Sequence, residues 1–131
     1  MVCEMLFFEY RDAEKLFFEK NYPENFNIKF YSEVLNEKTV LNLSAEELEK
    51  TVAVCVYKFS KLTPKVIHAF KNLRIIAIRT NDYKHVDLQA CIDKNIAVVN
   101  VAANTDEYSA LKLIFRYTTD VLCGGKKNRI V

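Results

Sequence analysis

Glycine and proline are scarce in this chain of 131 residues, which contains two of each. Both glycines, Gly124 and Gly125, lie close to the carboxyl terminus. A dinucleotide-binding GxGxxG fingerprint and a phosphate-binding P-loop both need glycines inside a strand–turn–helix unit, so the chain carries neither motif. The scarcity of both residue types also indicates regular helices and strands joined by short connections.

A cysteine-rich metal or redox motif is also missing. The four cysteines are Cys3, Cys55, Cys91 and Cys123; they form no CxxC pair, and no histidine lies at ligand spacing from them. We therefore expect neither a structural zinc site nor a dithiol redox centre. Cys55 falls in a predicted strand and Cys91 on a predicted helix face, where a thiol packs as a small apolar residue.

Neither a charge excess nor a long apolar run is present. The formal net charge is +2, and acidic and basic residues are interspersed, so nothing predicts a nucleic-acid-binding surface. The first apolar run breaks at Glu4, and no segment approaches the roughly 20 residues of a membrane helix. We expect a soluble cytoplasmic protein that binds neither nucleic acid nor membrane, with no signal peptide and a short basic tail.

What the chain does contain is a regular alternation of apolar strands with helical patterns. Half of its residues are apolar, which suffices for one domain over residues 1–131. Continuous apolar strands alternating with helices predict a parallel sheet covered on both faces. Right-handed crossovers then favour an α/β flavodoxin-like fold with strand order 2-1-3-4-5. We expect a core over residues 1–104 and a carboxyl-terminal helix and tail from residue 105. The predicted strands are VCEMLFF, FNIKFY, TVAVCVY, LRIIAIR and IAVVNV.

Several helix ends are predicted from capping residues. Ser44 followed by Glu47 is a capping-box signature, and Thr63 followed by proline marks another helix start. Asn95 lies where a left-handed residue is expected to end the fourth helix. The predicted amino-terminal caps are Asp12, Asn36, Ser44, Thr63 and Asp87.

Ligands of such a sheet bind where its strands end, at the carboxyl edge. The residues after the first strand, EYRDAEK, are bulky and acidic and would repel a flavin phosphate. A phosphoacceptor receiver domain needs an aspartate at the end of the third strand and a lysine at the end of the fifth. Tyr57 and Asn100 occupy those regions, so both functions are disfavoured.

The loop RTNDYKHVD, residues 79–87, resembles one protein family. The D-isomer-specific 2-hydroxyacid dehydrogenases, of the D-lactate dehydrogenase type, have a pattern close to R-x-x-G-x-D-x-[IV]-D here. Arg79, Val86 and Asp87 are in register with it. The flanking SKLTPKVI and NIAVVNV, and the earlier LFFEYRDAEK and FNIKFYSEVL, are also similar to the family. The resemblance covers nearly the whole chain and implies the family's amino-terminal, substrate-side domain.

The resemblance also implies a ligand and its contacts. In the family, backbone N–H groups of this loop hold the substrate carboxylate, and those positions fall on Asn81 and Asp82. The second is normally glycine. An aspartate carboxylate about 4 Å from a bound acid would cost several kcal/mol, unless Asp82 is a turn residue that faces water. Asn104 stands where an aromatic residue often contacts substrate. The implied ligand is a small 2-keto or hydroxy acid.

Towards the last helix the resemblance fades. Ala102 replaces the proline of an N-V-P-x-Y motif, and Leu111 and Lys112 replace the acid and histidine of an A-E-H motif. The family's catalytic arginine, glutamate and histidine, and its NAD fingerprint, are expected outside this chain. We therefore assign no catalytic, cofactor-binding or metal-binding residue. NAD would require a separate nucleotide-binding domain.

Three further residues at the predicted carboxyl edge could bind an anion or line a pocket. Arg79 could do so, or it could pair with Asp82 or Asp87. Tyr57 could line a pocket or belong to the edge of the core. His85 could be a site residue, or be solvated or bonded locally.

Two functions remain open. The chain could be a non-catalytic relative of the substrate-side domain that acts as a self-association or binding module. Alternatively, it could be a truncated or split part of an NAD-dependent D-2-hydroxyacid dehydrogenase that contributes substrate carboxylate contacts. The first function is favoured by the helix at residues 106–122. Its apolar stripe is expected to lie exposed unless it folds back or meets a partner, so we expect it to bind a second copy or a partner protein. That stripe comprises Tyr108, Leu111, Phe115, Thr118 and Leu122.

Overall fold

Strands and helices alternate along the chain. The computed structural model describes residues 3–21, 25–100 and 107–124, and within the last segment it describes the side chains of residues 112–122. In chain order the elements are β1 (Cys3–Phe8), α1 (Asp12–Lys20), β2 (Phe26–Tyr31), a short 3-10 helix (Thr39–Asn42), α2 (Ala45–Lys50), β3 (Ala53–Val56), α3 (Pro64–Ala69), β4 (Ile75–Ile78), α4 (Leu88–Asp93), β5 (Ala97–Asn100) and α5 (Glu107–Gly124).

The five strands form one parallel sheet in the order β2-β1-β3-β4-β5. One row of paired residues crosses the whole sheet and fixes its register: Ile28, Met5, Ala53, Ile75 and Ala97. Parallel neighbours need a crossover connection, and the helices between the strands provide it. The predicted flavodoxin-like α/β fold and its strand order are confirmed.

Both faces of the sheet are buried, because successive strand residues point to opposite sides. One face, with Phe8 and Ile78, packs against residues of α3 and α4. The other face, with Phe7 and Ala77, packs against residues of α1 and α5. The strands therefore need apolar residues at consecutive positions, which explains the continuous apolar runs.

A cluster of phenylalanine rings holds α1 and α5 against the second face. Phe18 on α1 is fully buried, and its ring centroid lies 5.2 Å from that of Phe7 and 4.8 Å from that of Phe115. Phe115 on α5 lies 5.1 Å from Phe26 on β2. All three pairs meet edge to face, the geometry that aromatic quadrupoles favour.

The described part of α5 packs on the sheet of its own chain. Ile114, Thr118 and Val121 are buried, while Lys112 and Arg116 face outwards. Of the alternatives that the sequence left open for the apolar stripe of this helix, the described part folds back onto the second face of its own sheet. Of the residues predicted for the stripe, Thr118 is buried and Phe115 and Leu122 are half-buried, whereas the side chains of Tyr108 and Leu111 lie outside the described residues.

Three predicted caps and one predicted helix end are confirmed. The side chains of Ser44, Thr63 and Asp87 each accept a hydrogen bond from the backbone N–H three residues later. Asn95 has φ of 63°, in the left-handed region, as expected for the residue that ends α4.

Two predicted caps were wrong. Arg11, not Asp12, precedes α1 as its cap residue, because the carboxylate of Glu14 reaches back and accepts a hydrogen bond from the Arg11 backbone N–H at 2.8 Å. The short helix predicted through Val40 and Leu41 is present as the 3-10 helix, but its cap residue is Lys38 rather than Asn36. The side-chain oxygen of Asn36 accepts from the N–H groups two and three residues later, which makes a turn before the 3-10 helix at Thr39.

Cys55 and Cys91 are fully buried, as predicted for small apolar side chains. Burial raises the pKa of the Cys55 thiol to about 11, although the Arg79 guanidinium acts in the opposite direction. Burial also raises the pKa of Cys91 to about 12, with a smaller contribution from Asp87. Both stay protonated at neutral pH. Ile92, the residue after Cys91, is 41% exposed, because the inward face of α4 is formed by Ala90 and Cys91.

Glu47 links α2 to β2 and gives the fold a pH dependence. Its carboxylate caps α2 at Ser44 and accepts hydrogen bonds from the Tyr31 hydroxyl and the Lys29 ammonium. Burial acts to raise the pKa of Glu47, but the bond from Ser44 and those from Tyr31 and Lys29 outweigh it and lower the pKa to about 2.

Because the folded pKa of Glu47 lies below its ordinary value of 4.5, the stabilisation is present above that pH and is lost as the pH falls towards 2. We expect Glu47→Gln to lower the free energy of unfolding by about 1 kcal/mol at neutral pH, and by less near pH 3. Urea unfolding at both pH values measures the difference. An equal loss at both would contradict this role of the carboxylate.

Candidate functional site

The loops after β3 and β4 form one unit at the carboxyl edge of the sheet. Leu62 and Val86 make an isolated parallel bridge. The Leu62 N–H donates to the His85 carbonyl at 2.8 Å, and the Asp87 N–H donates to the Leu62 carbonyl at 3.0 Å. The loop at residues 79–87 is therefore fixed at its far end, and Asp87 begins α4 directly after it.

Arg79 is buried at the beginning of this loop. Its Nε lies 2.7 Å from Oε2 of Glu14, and the exposed fractions of the two residues are 9% and 1%. Its Nη1 donates to the Phe8 carbonyl at 3.0 Å, and its Nη2 donates to the Glu9 carbonyl at 2.7 Å. One guanidinium thus joins β4 to the end of β1 and to α1.

The partner predicted for Arg79 was wrong. The carboxylate that it meets belongs to Glu14 on α1, not to Asp82 or Asp87, because the side chain turns across the sheet towards β1. The guanidinium carbon lies 4.3 Å from the ring centroid of Phe7 and 5.5 Å from that of Tyr57. An external anion would have to displace Glu14 to bind this group.

Glu9, directly after β1, is bound to the loop after β3. Its carboxylate accepts hydrogen bonds from the backbone N–H groups of Tyr57, Phe59 and Ser60, at 2.9, 2.9 and 3.1 Å. It also accepts from the Ser60 hydroxyl at 2.6 Å. Tyr57, predicted as a pocket residue, thus donates its backbone N–H to the Glu9 carboxylate. Its half-buried ring lies under the cationic groups of Arg11 and Lys58.

Asn81 and Asp82 form the exposed tip of the loop after β4. The carboxylate of Asp82 accepts a hydrogen bond from the Lys84 backbone N–H at 2.8 Å, and the Asp82 N–H lies 3.4 Å from the Thr80 hydroxyl. Asp82 therefore makes a tight local turn in which its side chain folds back on the loop. This is the geometry of the turn residue that the sequence left open as an alternative.

His85 lines a cavity of about 430 Å³ between the two loops, together with Lys58, Lys61 and Asp82. Both ring nitrogens of His85 are shielded from solvent and have no hydrogen-bond partner among the described residues. The cavity is open and its charges are mixed, so its geometry does not single out one ligand. His85 is nevertheless packed in place rather than solvated.

The structure groups the predicted residues into two sets. In the first set, the Arg79 guanidinium lies against the rings of Tyr57 and of Phe7 on β1. In the second set, Asp82 and His85 line the cavity between the loops. Asn104 lies outside the described residues, so its predicted contact with substrate stays a prediction.

Glu9 and Glu14 were not predicted, although each left a signal in the sequence. Glu14 lies three and four residues before Phe17 and Phe18, so it shares the inward face of α1 with them. Glu9 follows an apolar strand directly and so must lie at the carboxyl edge. The pattern did not show that the Glu14 carboxylate would contact Arg79, directly after β4. Nor did it show that the Glu9 carboxylate would accept hydrogen bonds from the loop after β3.

A five-stranded parallel sheet in the order 2-1-3-4-5, with helices on both faces, defines a class of α/β domains whose ligands bind at the carboxyl edge of the sheet. Residues 5–110 match the family described as D-isomer specific 2-hydroxyacid dehydrogenase, catalytic domain. This chain belongs to the D-isomer specific 2-hydroxyacid dehydrogenase family. A Schizosaccharomyces pombe protein, 2-hydroxyacid dehydrogenase homolog 1, is 37% identical over 101 residues, which cover 74% of this chain and 29% of that protein.

Solved structures show the same fold. The D-lactate dehydrogenase of Aquifex aeolicus, complexed with NAD and lactic acid, has a TM-score of 0.65 at 23% identity, over 88% of this chain and 33% of that one. The apo D-lactate dehydrogenase of Escherichia coli has a TM-score of 0.62 at 24% identity, over 75% and 30%. The chain thus spans about a third or less of the length of these relatives. Among the described residues, no helix is both long and apolar enough to cross a membrane.

Proposed function

We propose that this chain is a substrate-side module of a D-2-hydroxyacid dehydrogenase that binds a small 2-keto or 2-hydroxy acid and transfers no hydride by itself. The acid's carboxylate is bound by backbone N–H groups at Asn81 and Asp82, and the Asp82 N–H exchanges its long hydrogen bond to the Thr80 hydroxyl for the acid. The observation that carries the proposal is the hydrogen bond from the Lys84 N–H to the Asp82 carboxylate, which turns that side chain back onto its own loop. The Leu62–Val86 bridge supports it, because it fixes the loop.

The family and one relative support the class of ligand. The family's catalytic domain is the part that this chain matches, and the Aquifex aeolicus enzyme was solved with lactic acid and NAD. In our proposal NAD is bound by a separate nucleotide-binding domain, which also supplies the catalytic groups. Adding such a domain should restore NADH-dependent reduction of a 2-keto acid, whereas the chain by itself should show none.

Asp82 should limit the affinity for the acid. We expect Asp82→Asn to bind pyruvate about tenfold more tightly than the wild type, since a charge that costs about 1.4 kcal/mol is removed. Isothermal titration calorimetry with millimolar pyruvate measures the change. Asn keeps an oxygen for the Lys84 N–H, so the local turn is preserved.

Asp82→Gly is the matched control, because glycine removes the charge and also frees the backbone. An equal gain for both variants assigns the effect to charge, and a gain for glycine alone assigns it to the backbone. If neither variant nor the wild type gives heat or NMR shifts with millimolar pyruvate or lactate, the binding proposal is wrong.

Self-association stays a prediction. Because the apolar face of α5 is buried on its own sheet, an exposed stripe no longer supports the prediction. A homodimer or partner contact through residues 106–122 would have to use a different surface of the helix. Leu16, which is 52% exposed, lines a groove of about 310 Å³ with Lys112 of α5. Sedimentation at micromolar concentration distinguishes a dimer from a monomer.

A cytoplasmic location is likewise proposed from the sequence alone.

A further inference from the structure

The loop after β3 carries a second carboxylate-binding arrangement, separate from the loop at Asn81 and Asp82. Three backbone N–H groups and one hydroxyl converge there on the carboxylate of Glu9. Oε2 accepts from Tyr57 and from both donors of Ser60, and Oε1 accepts from Phe59. Both oxygens are used, so the donors match a planar carboxylate rather than a spherical ion.

The loop is held at Ser60 and Lys61 independently of Glu9. Ser60 is fully buried, and its hydroxyl oxygen accepts a hydrogen bond from the Leu35 N–H at 2.8 Å. That bond leaves the hydroxyl proton to point at Glu9. The Lys61 N–H donates in turn to the Leu35 carbonyl at 2.8 Å, which fixes the next residue of the loop. Ser60 and Lys61 are therefore positioned without Glu9, at one end of a nest of N–H groups that faces the carboxylate.

The chain bends to bring Glu9 into this nest. Glu9 has φ of 55°, in the left-handed region that a residue with a Cβ seldom adopts. Its carbonyl accepts from Arg79 at 2.7 Å, and its N–H donates to the Glu33 carbonyl at 3.0 Å. The Glu9 side chain thus enters the loop at residues 57–60 from a different segment of the chain, in the way that a bound carboxylate would.

We propose that residues 57–60 form a binding site for a small carboxylate, and that Glu9 occupies it in the wild-type protein. When the Glu9 side chain is truncated, a free carboxylate of the size of formate or acetate binds in its place. The four donors then bond the two oxygens of the free ion, and no covalent change is involved.

Glu9→Ala tests the proposal with sodium formate as the probe. The variant should unfold at a lower temperature than the wild type, and formate should raise its Tm saturably by roughly 3–6 °C. Sodium chloride at equal ionic strength should not, and the formate-dependent rise in Tm should be larger in the variant than in the wild type, in which Glu9 fills the site. NMR should show formate-dependent shifts of the amide protons of Tyr57, Phe59 and Ser60 in the variant only.

A second substitution tests the donor set. Adding Ser60→Ala to Glu9→Ala removes the hydroxyl donor and should weaken formate binding about tenfold, because a charge-assisted hydrogen bond is lost. If Glu9→Ala is unfolded in chloride, folding on addition of formate reports the same binding. Equal responses to formate and chloride, whether in Tm or in recovery of the folded state, would overturn the proposal. Because pyruvate binding at Asp82 is measured in the Glu9 wild type, the two proposals fail independently.

Discussion

Replacing Arg79 with methionine should lower the free energy of unfolding by about 3–5 kcal/mol. The substitution removes the cation at 2.7 Å from the carboxylate of Glu14, which is 1% exposed, and leaves it only the exposed Arg11 guanidinium at 3.5 Å. A buried charge that has lost its close partner is costly. The substitution also removes the donors to the carbonyls of Phe8 and Glu9. Urea unfolding at neutral pH measures the loss. A cost below about 1 kcal/mol would show that water or rearrangement replaces the guanidinium.

Two controls separate charge from geometry at this position. Arg79→Lys keeps the charge, but one ammonium nitrogen cannot occupy the three positions from which Nε, Nη1 and Nη2 contact Glu14 and the two carbonyls. We therefore expect an intermediate cost. The double variant Arg79→Met with Glu14→Leu removes both charges, so its cost should be smaller than the sum of the single costs. Additive costs would mean that the two residues stabilise the fold separately.

Replacing Phe18 with alanine should cost about 3–5 kcal/mol of unfolding free energy, a large part of the 5–15 kcal/mol typical of a domain. Phe18 is fully buried, and its ring meets Phe7 of the sheet and Phe115 of α5. The cavity left behind therefore loosens α5 as well as α1. Amide hydrogen exchange should become faster in α5 than in β4, and urea unfolding gives the total cost.

Leu16 offers a matched control for Phe18 on the same helix. It is 52% exposed, so Leu16→Ala should change stability by no more than about 0.5 kcal/mol. Similar costs for the two variants would contradict the described packing of α1, because the expected contrast depends on the buried ring.

The sequence predicted the fold well because the signals of strands and caps are local. Consecutive apolar residues in TVAVCVY predicted a strand buried on both faces, and β3 is fully buried. Thr63 with its proline and Asp87 cap the helices that they were expected to cap. Asp12 failed as a cap because a carboxylate further along the helix took the cap N–H, a competition that composition does not resolve.

The candidate site was predicted less completely, because its main contacts join residues far apart in the chain. Local spacing placed Arg79 at the carboxyl edge, and nearby acids were the natural partners, yet Glu14 lies 65 residues away. The same holds for Glu9 and Ser60, which are 51 residues apart. For α5, an apolar stripe indicates burial, but it does not indicate whether the same chain or another provides the covering surface.

The distance between Glu14 and Arg79 along the chain has a consequence for synthesis on the ribosome. The polypeptide emerges from its amino terminus, so β1 and α1 leave the exit tunnel long before the guanidinium that neutralises Glu14. In a nascent chain that ends before β4, Glu14 has only the exposed Arg11 as a cationic partner, so α1 gains little from docking its carboxylate against an apolar surface. We expect cotranslational folding to begin only after Arg79 has emerged, which leaves the early phenylalanines accessible to chaperones in the meantime.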